Sequence, residues 1–161
     1  MTEIHAAFSG KKILLTGASG YVATNLIHEL KETHSSILCL TRNGIETPPF
    51  GSAARVECLL ADIRERGCWE EALAARDIVF HLAARVGGIG ANRAHPGKFF
   101  YDNAMMGIQL IEECRVRGVK KFICVGTVCS YPKFTPVPFK EKDLWNGYPE
   151  ETNAPYGLAK K

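Results

Sequence analysis

Residues Ile13 to Ala23 read Ile-Leu-Leu-Thr-Gly-Ala-Ser-Gly-Tyr-Val-Ala, an apolar run of strand length that passes straight into a glycine-rich turn and then into helical periodicity. Few folds accept that succession, because the strand is too apolar to lie at a wetted surface and must be covered on both faces. Gly17 suits a tight turn, Gly20 lets backbone approach a bulky anion, and Ala23 supplies the small side chain needed where helix meets strand. Together they predict a phosphate cradle, in which a pyrophosphate sits on the free N–H groups and positive dipole end of the helix. Ser19, Tyr21 and Val22 complete the expected contact surface.

Further apolar runs alternate with helical patterns along the chain. Strands are expected at residues 12–16, 37–40, 56–60, 78–82 and 122–125, and helices near residues 21–32, 68–74 and 96–117. This order predicts an α/β, Rossmann-type doubly wound parallel sheet occupying residues 1–161 as one NAD(P)-binding domain. The 161-residue length and 46% hydrophobic content can bury a core of that kind. The longest irregular tract, residues 128–153, is proline-rich and reads as a functional loop.

At the end of the second strand the chain reads Leu40-Thr41-Arg42-Asn43, where an NAD enzyme would offer a carboxylate to the ribose hydroxyls. Arg42 instead favours NADP(H) over NAD(H), since a guanidinium can take a 2′-phosphate bidentately; the alternative is a solvated arginine at a strand end. Asp62 and Ile63 after the third strand, and Leu82, Ala83 and Ala84 after the fourth, are expected to line the adenine and ribose sides of the same crevice. His81 is read as a packed or cofactor-adjacent residue, not a metal ligand, because no second ligand stands at a useful spacing.

Net charge is +3, with Lys and Arg interleaved with Asp and Glu, so nucleic acid is not implied. No stretch has the apolar length of a membrane span and residues 1–10 do not resemble a signal peptide, so a cytoplasmic protein is expected. Six cysteines lack a Cys-x-x-Cys pair; five read as core or filler in a reducing compartment. The helix from Pro96, with Phe99, Met105, Ile108, Leu110 and Ile111, also reads mostly as core.

Tyr156 and Lys160 stand four residues apart on a helical stretch, hence on one face, and a phenol beside an ammonium makes a proton donor that works near neutral pH. Thr-Gly-x-x-Gly-x-x-Ala at residues 16–23, His81-Leu82-Ala83-Ala84, Asn103 and Tyr156-x-x-x-Lys160 together resemble the extended short-chain dehydrogenase/reductases, a family of epimerases and dehydratases, over the whole chain. Three segments narrow the likeness: residues 84–89, Cys129-Ser130-Tyr131-Pro132-Lys133, and residues 151–156 resemble the GDP-L-fucose synthases. The resemblance implies NADPH-dependent 3,5-epimerisation and 4-reduction of a GDP-4-keto-6-deoxy sugar, and an enzyme that is a homodimer.

Carried over residue by residue, the resemblance makes Thr127 the hydroxyl that holds the carbonyl oxygen, Tyr156 its proton donor, Lys160 the cation that tunes the Tyr, and Cys129 the epimerising acid–base. Val86, Gly87 and Gly88 would lie beside the sugar. Thr127 and Val128 depart from the serines usual there. The family's second epimerising acid, a His, would fall beyond Lys161, as would its substrate lobe, so the 161-residue chain alone is expected to be inactive. Two other readings stand beside this one: an NAD-dependent nucleotide-sugar epimerase/dehydratase that recycles its hydride, and a non-catalytic truncated nucleotide-binding module. From the residues alone, Cys129 is either an acid–base thiol or a small buried side chain.

Overall fold

The computed structural model describes residues 3–43 and 55–161. Two compact units emerge, Met1–Ala83 with Gln109–Cys124, and Ala84–Ile108 with Val125–Lys161.

The first unit holds the sheet. Its strands are β1 (Lys12–Thr16), β2 (Ser36–Thr41), β3 (Arg55–Leu60), β4 (Ile78–His81) and β5 (Lys121–Cys124), in spatial order β3-β2-β1-β4-β5. All four pairings are parallel, with Ile13 opposite Ile37 on one side and Ile78 on the other. The chain winds outward from β1 to β3, then returns past β1 to begin β4. The strand order therefore reverses between β1 and β4, where doubly wound sheets bind ligands.

Why β1 takes the centre is visible in its side chains. Ile13, Leu14 and Leu15 are fully buried, so both faces of the strand are covered as the apolar run demanded. Ile13 and Leu15 join Ala23, Ile27 and Leu30 of helix α2 (Tyr21–Leu30) and Ile37, Cys39, Ile78 and Phe80 of the neighbouring strands in one cluster. Each Ile, Leu or Phe among them contributes on the order of 1.5–3 kcal/mol by leaving water.

Helices α1 (Glu3–Phe8), α3 (Trp69–Ala72), α4 (Ile89–Ala94), α5 (Pro96–Val116) and α6 (Ala154–Lys160) complete the regular elements among the described residues. Expected and observed strands agree to within a residue at each end. Helices α1 and α4 were not expected, the first being too short for a periodic pattern. The second lies in a stretch whose Gly87, Gly88 and Gly90 read as loop, yet the buried Asn92 donates through Nδ2 to the carbonyls of Gly87 (3.1 Å) and Gly88 (3.3 Å) and closes the turn. A side-chain to backbone bond outweighed the local glycine preference.

Two expectations about the core are corrected. Cys58 and Cys124 are exposed rather than buried, because they lie on β3 and β5, the outer strands of this sheet; Cys39 and Cys114 are buried. On α5, Phe99 and Leu110 are buried, as is Met106, whereas Ile108 and Ile111 are 61% and 54% exposed. They belong to the outward face of a helix whose inward face is already filled.

Candidate functional site

The first unit carries the cradle. Gly17 adopts φ +69°, and a Cβ placed there would stand 2.7 Å from Ala83 N and 2.8 Å from Ala83 Cα, so the turn lies directly on the backbone after β4. Any side chain would collide with main chain and also strain the left-handed conformation. The turn is closed by Gly20 N–H donating to Gly17 O (3.0 Å) and tied to β2 by Gly17 N–H donating to Leu40 O (3.2 Å).

Beyond the turn, α2 begins at Tyr21 with Gly20 as an extended N-cap that offers no side-chain cap, and its first turn carries no acidic residue. Ser19, Gly20, Tyr21 and Val22 are exposed, Tyr21 at 85%, whereas Ala23 is buried against the sheet. The first N–H groups of a ten-residue helix are thus presented without a competing capping oxygen. That donor set fits the pyrophosphate of a dinucleotide.

A hydrogen-bonded relay that sequence reasoning missed stiffens the strand ends at this point. Thr16 Oγ1 accepts from Ala83 N–H (3.2 Å) and shares a 2.9 Å hydrogen bond with His81 Nδ1. Thr16 and His81 are fully buried, and His81 stacks on Phe122, so this imidazole is part of the packing. A polar residue at the last position of each of two adjacent apolar strands was the available signal.

Arg42 is exposed just past β2, and its charge acts on Asp62. The Asp62 carboxylate accepts from Arg64 Nε (2.9 and 3.1 Å), Nη2 (2.5 Å) and backbone N–H (3.0 Å). Hydrogen bonding from Arg64 holds the Asp62 carboxyl down at about 2, with burial opposing and the charges of Arg64 and Arg42 assisting. Ile63 is buried, while Leu82 and Ala83 are half-buried past the end of β4.

The second unit carries the residues of the expected chemistry. Ala84 opens it, followed by the exposed Val86, Gly87 and Gly88. The buried carboxamide of Asn103 pins this segment by accepting from Arg85 N–H (2.9 Å) and donating to Arg85 O (3.0 Å) and Phe99 O (2.8 Å). The Arg85 guanidinium lies over the Phe99 ring and pairs with Asp102 (3.2 Å).

Thr127 begins a 3₁₀ turn, Val128–Ser130, as its N-cap, and Thr127 Oγ1 accepts from Cys129 N–H (3.2 Å). A hydroxyl has two lone pairs and one proton, so this bond orients Oγ1 and leaves its O–H for an outside acceptor. Lys160, in the last turn of α6, donates from Nζ to Val125 O (3.4 Å). Thr127 and Lys160 wall a cavity of about 610 Å³ together with Gly126, Val128, Ser130, Tyr131, Glu141 and Leu144. Tyr156 and Cys129 are both half-buried, and neither is among those walls.

Helix α6 meets the turn at Gly157. A Cβ there would collide with Cys129 O, while the buried Ser130 donates from Oγ to Gly157 O at 2.9 Å. Ser130, Gly157 and the cavity carboxylate of Glu141 were not foreseen as site residues. The sequence signal for the first was its place directly after Cys129; no local pattern marks the third.

A model of the NAD-dependent epimerase/dehydratase family matches residues 13–161. The chain belongs to this family. It is 30% identical over 154 residues to GDP-mannose 3,5-epimerase of Arabidopsis thaliana, covering 92% of this chain and 40% of that protein. It is 35% identical over 153 residues to GDP-L-fucose synthase of Azorhizobium caulinodans, covering 94% of this chain and 44% of that one. Among solved structures, epimerase Mth375 of Methanothermobacter thermautotrophicus superposes with a TM-score of 0.81 at 24% identity, over 97% of this chain and 46% of its own, a likeness of fold. The chain therefore spans less than half the length of the relatives it matches. Among the described residues no helix is long and apolar enough to cross a membrane.

Proposed function

We propose that residues 1–161 form the NAD(P)-binding domain of a nucleotide-sugar epimerase/reductase of the GDP-L-fucose synthase kind, acting on a GDP-4-keto-6-deoxy sugar. The observation that carries this reading is that an oriented hydroxyl, Thr127, and Lys160 stand on the walls of one cavity of about 610 Å³. Identity to a GDP-L-fucose synthase across nearly the whole chain supports the choice of substrate class.

A bound nicotinamide dinucleotide supplies the hydride that reduces the ketone. Gly17, Ser19, Gly20, Tyr21 and Val22 hold its pyrophosphate on the open end of α2, and Asp62, Ile63, Leu82, Ala83 and Ala84 line its adenosine side. Arg42, with no carboxylate of its own strand end to neutralise it, selects NADP(H) over NAD(H). Thr127 donates its remaining proton to the ketone oxygen, and Tyr156 delivers a proton to that oxygen as charge develops. Lys160, held through Val125 O, keeps positive charge on the Tyr156 side of α6 and binds the nicotinamide ribose.

Before reduction, the carbons flanking the ketone are acidic; Cys129 exchanges a proton with them on one face, and inversion is completed by a second acid on the opposite face. Val86, Gly87 and Gly88 border the sugar. The exposed Ile108 and Ile111 on α5 support a homodimer.

The deciding experiment supplies the complete protein with GDP-4-keto-6-deoxymannose and NADPH. One NADPH oxidised per sugar reduced is the expected stoichiometry; steady turnover with tightly held NAD and no net oxidation would replace this reading. That second reading, a 3,5-epimerase that recycles its hydride, draws on the 30% identity to GDP-mannose 3,5-epimerase.

A further inference from the structure

We infer that Ser130 and Gly157 are positioning residues that set the placement of Tyr156 and Lys160 against Thr127 and Cys129. The inference rests on the proposed function and concerns the machinery within the second unit.

Four contacts form one connected set. Thr127 Oγ1 accepts from Cys129 N–H (3.2 Å), so the hydroxyl and the thiol-bearing residue share one turn. Cys129 O lies against Gly157, where any Cβ would collide with it, so the turn and α6 touch main chain to main chain. Ser130 Oγ donates to Gly157 O (2.9 Å) from a site only 3% exposed. Lys160 Nζ donates to Val125 O (3.4 Å), immediately before the same turn.

The chemistry explains why such a joint matters. Tyr156 and Lys160 ride one helix and keep their mutual spacing whatever α6 does. Thr127 and Cys129 likewise keep theirs, because they share a turn. Only the joint between helix and turn adjusts one pair to the other, and ketone reduction needs both pairs at one carbonyl, whereas proton exchange beside the ketone uses Cys129. Geometry of this kind is steep, since displacement of a reacting group by an ångström is costly. A buried serine hydroxyl is a directional tether with a fixed length, and at the neighbouring carbonyl the glycine removes the side chain that would hold the surfaces apart.

The test uses the complete protein and the Ser130→Ala variant, read in four ways. The rate of solvent deuterium incorporation beside the ketone, measured without NADPH, should stay within about twofold of wild type. The NADPH-dependent kcat should fall roughly tenfold, the scale of one lost buried hydrogen bond. The pH at which kcat changes should not move, because Tyr156 and Lys160 keep their spacing. Amide hydrogen exchange across residues 156–160 should quicken roughly tenfold while that of β1 is unchanged. Ser130→Thr, which restores the hydroxyl, should recover most of kcat.

A merely structural role would lower exchange and reduction by one common factor, and that outcome overturns the inference, as does a variant equal to wild type in both rates. Unchanged amide exchange in α6 overturns it regardless of activity. Should Ser130→Ala fail to fold, Ser130→Cys preserves the volume with a weaker donor and is read by the same measures. A wild-type protein inert toward the keto sugar would refute the proposed function instead, and α6 amide exchange would still judge the joint.

Discussion

The β1–α2 turn of the first unit and the Thr127–Ser130 turn of the second both hold the chain in tight register, but by opposite means. At Gly17 the chemistry is all main chain: a positive φ, a carbonyl-to-amide closure and an open helix end. At Thr127 to Ser130 side chains do the holding, a threonine oxygen capping one turn and a serine hydroxyl tethering a helix. The first can lose nothing but tolerates no added atom. In the second, the hold depends on single side-chain oxygens that a substitution can remove without adding an atom.

The largest expected effect tests that contrast at its chemical end. In the complete protein, Tyr156→Phe should lower ketone reduction by roughly 10²–10⁴-fold, the usual worth of a positioned proton donor, with NADPH affinity and deuterium exchange beside the ketone retained. Cys129→Ser should show the reverse pattern, losing exchange and keeping NADPH. Loss of both reactions in either variant would dissolve the division of labour between α6 and the turn.

Next in size, Gly17→Ala places a methyl group 2.7 Å from Ala83 N at φ +69°, and should cost about 2–3 kcal/mol in urea unfolding as an overpacked, strained position. A tolerated alanine would show that this turn yields more readily than its backbone contacts imply. A smaller change follows at the strand end, where Arg42→Ala should weaken NADPH about tenfold and leave NADH unaffected, on the scale of a charge-assisted hydrogen bond. Equal weakening of both cofactors would remove Arg42 from the 2′-phosphate.

The mildest effect is a pH dependence. Asp62 titrates at about 2 in the folded chain because Arg64 hydrogen-bonds the carboxylate, against about 3.9 in an unfolded one. A depressed folded value means the unfolded chain binds the proton first, so the contribution is complete above about pH 4 and disappears as pH falls toward 2. Arg64→Ala should flatten the loss of stability between those values, measured by urea titration at successive pH; an unaltered slope would separate Asp62 from acid sensitivity.

How far these regions could be read in advance follows the same division. The sheet, its parallel order and the glycine turn at Gly17 and Gly20 were legible, since a doubly buried strand before a glycine turn has few ways to fold. That Tyr156 and Lys160 share one helix was legible from their spacing. Helix α4 was not, because the bond from Asn92 to Gly87 and Gly88 closes a turn that the local composition disfavours. Nor was the outward aim of Ile108 and Ile111, since an apolar residue on a helix does not announce which face its neighbours have already filled.

Hydrophobic pattern and residue chemistry, both local, determined the fold class and the glycine turn between β1 and α2. Their arrangement was decided by contacts between residues far apart in the chain: Thr16 to His81 and Ala83, Asn103 to Arg85, Ser130 to Gly157. A hydrogen bond selects its partner by position within a few tenths of an ångström, and only the folded backbone sets positions that finely.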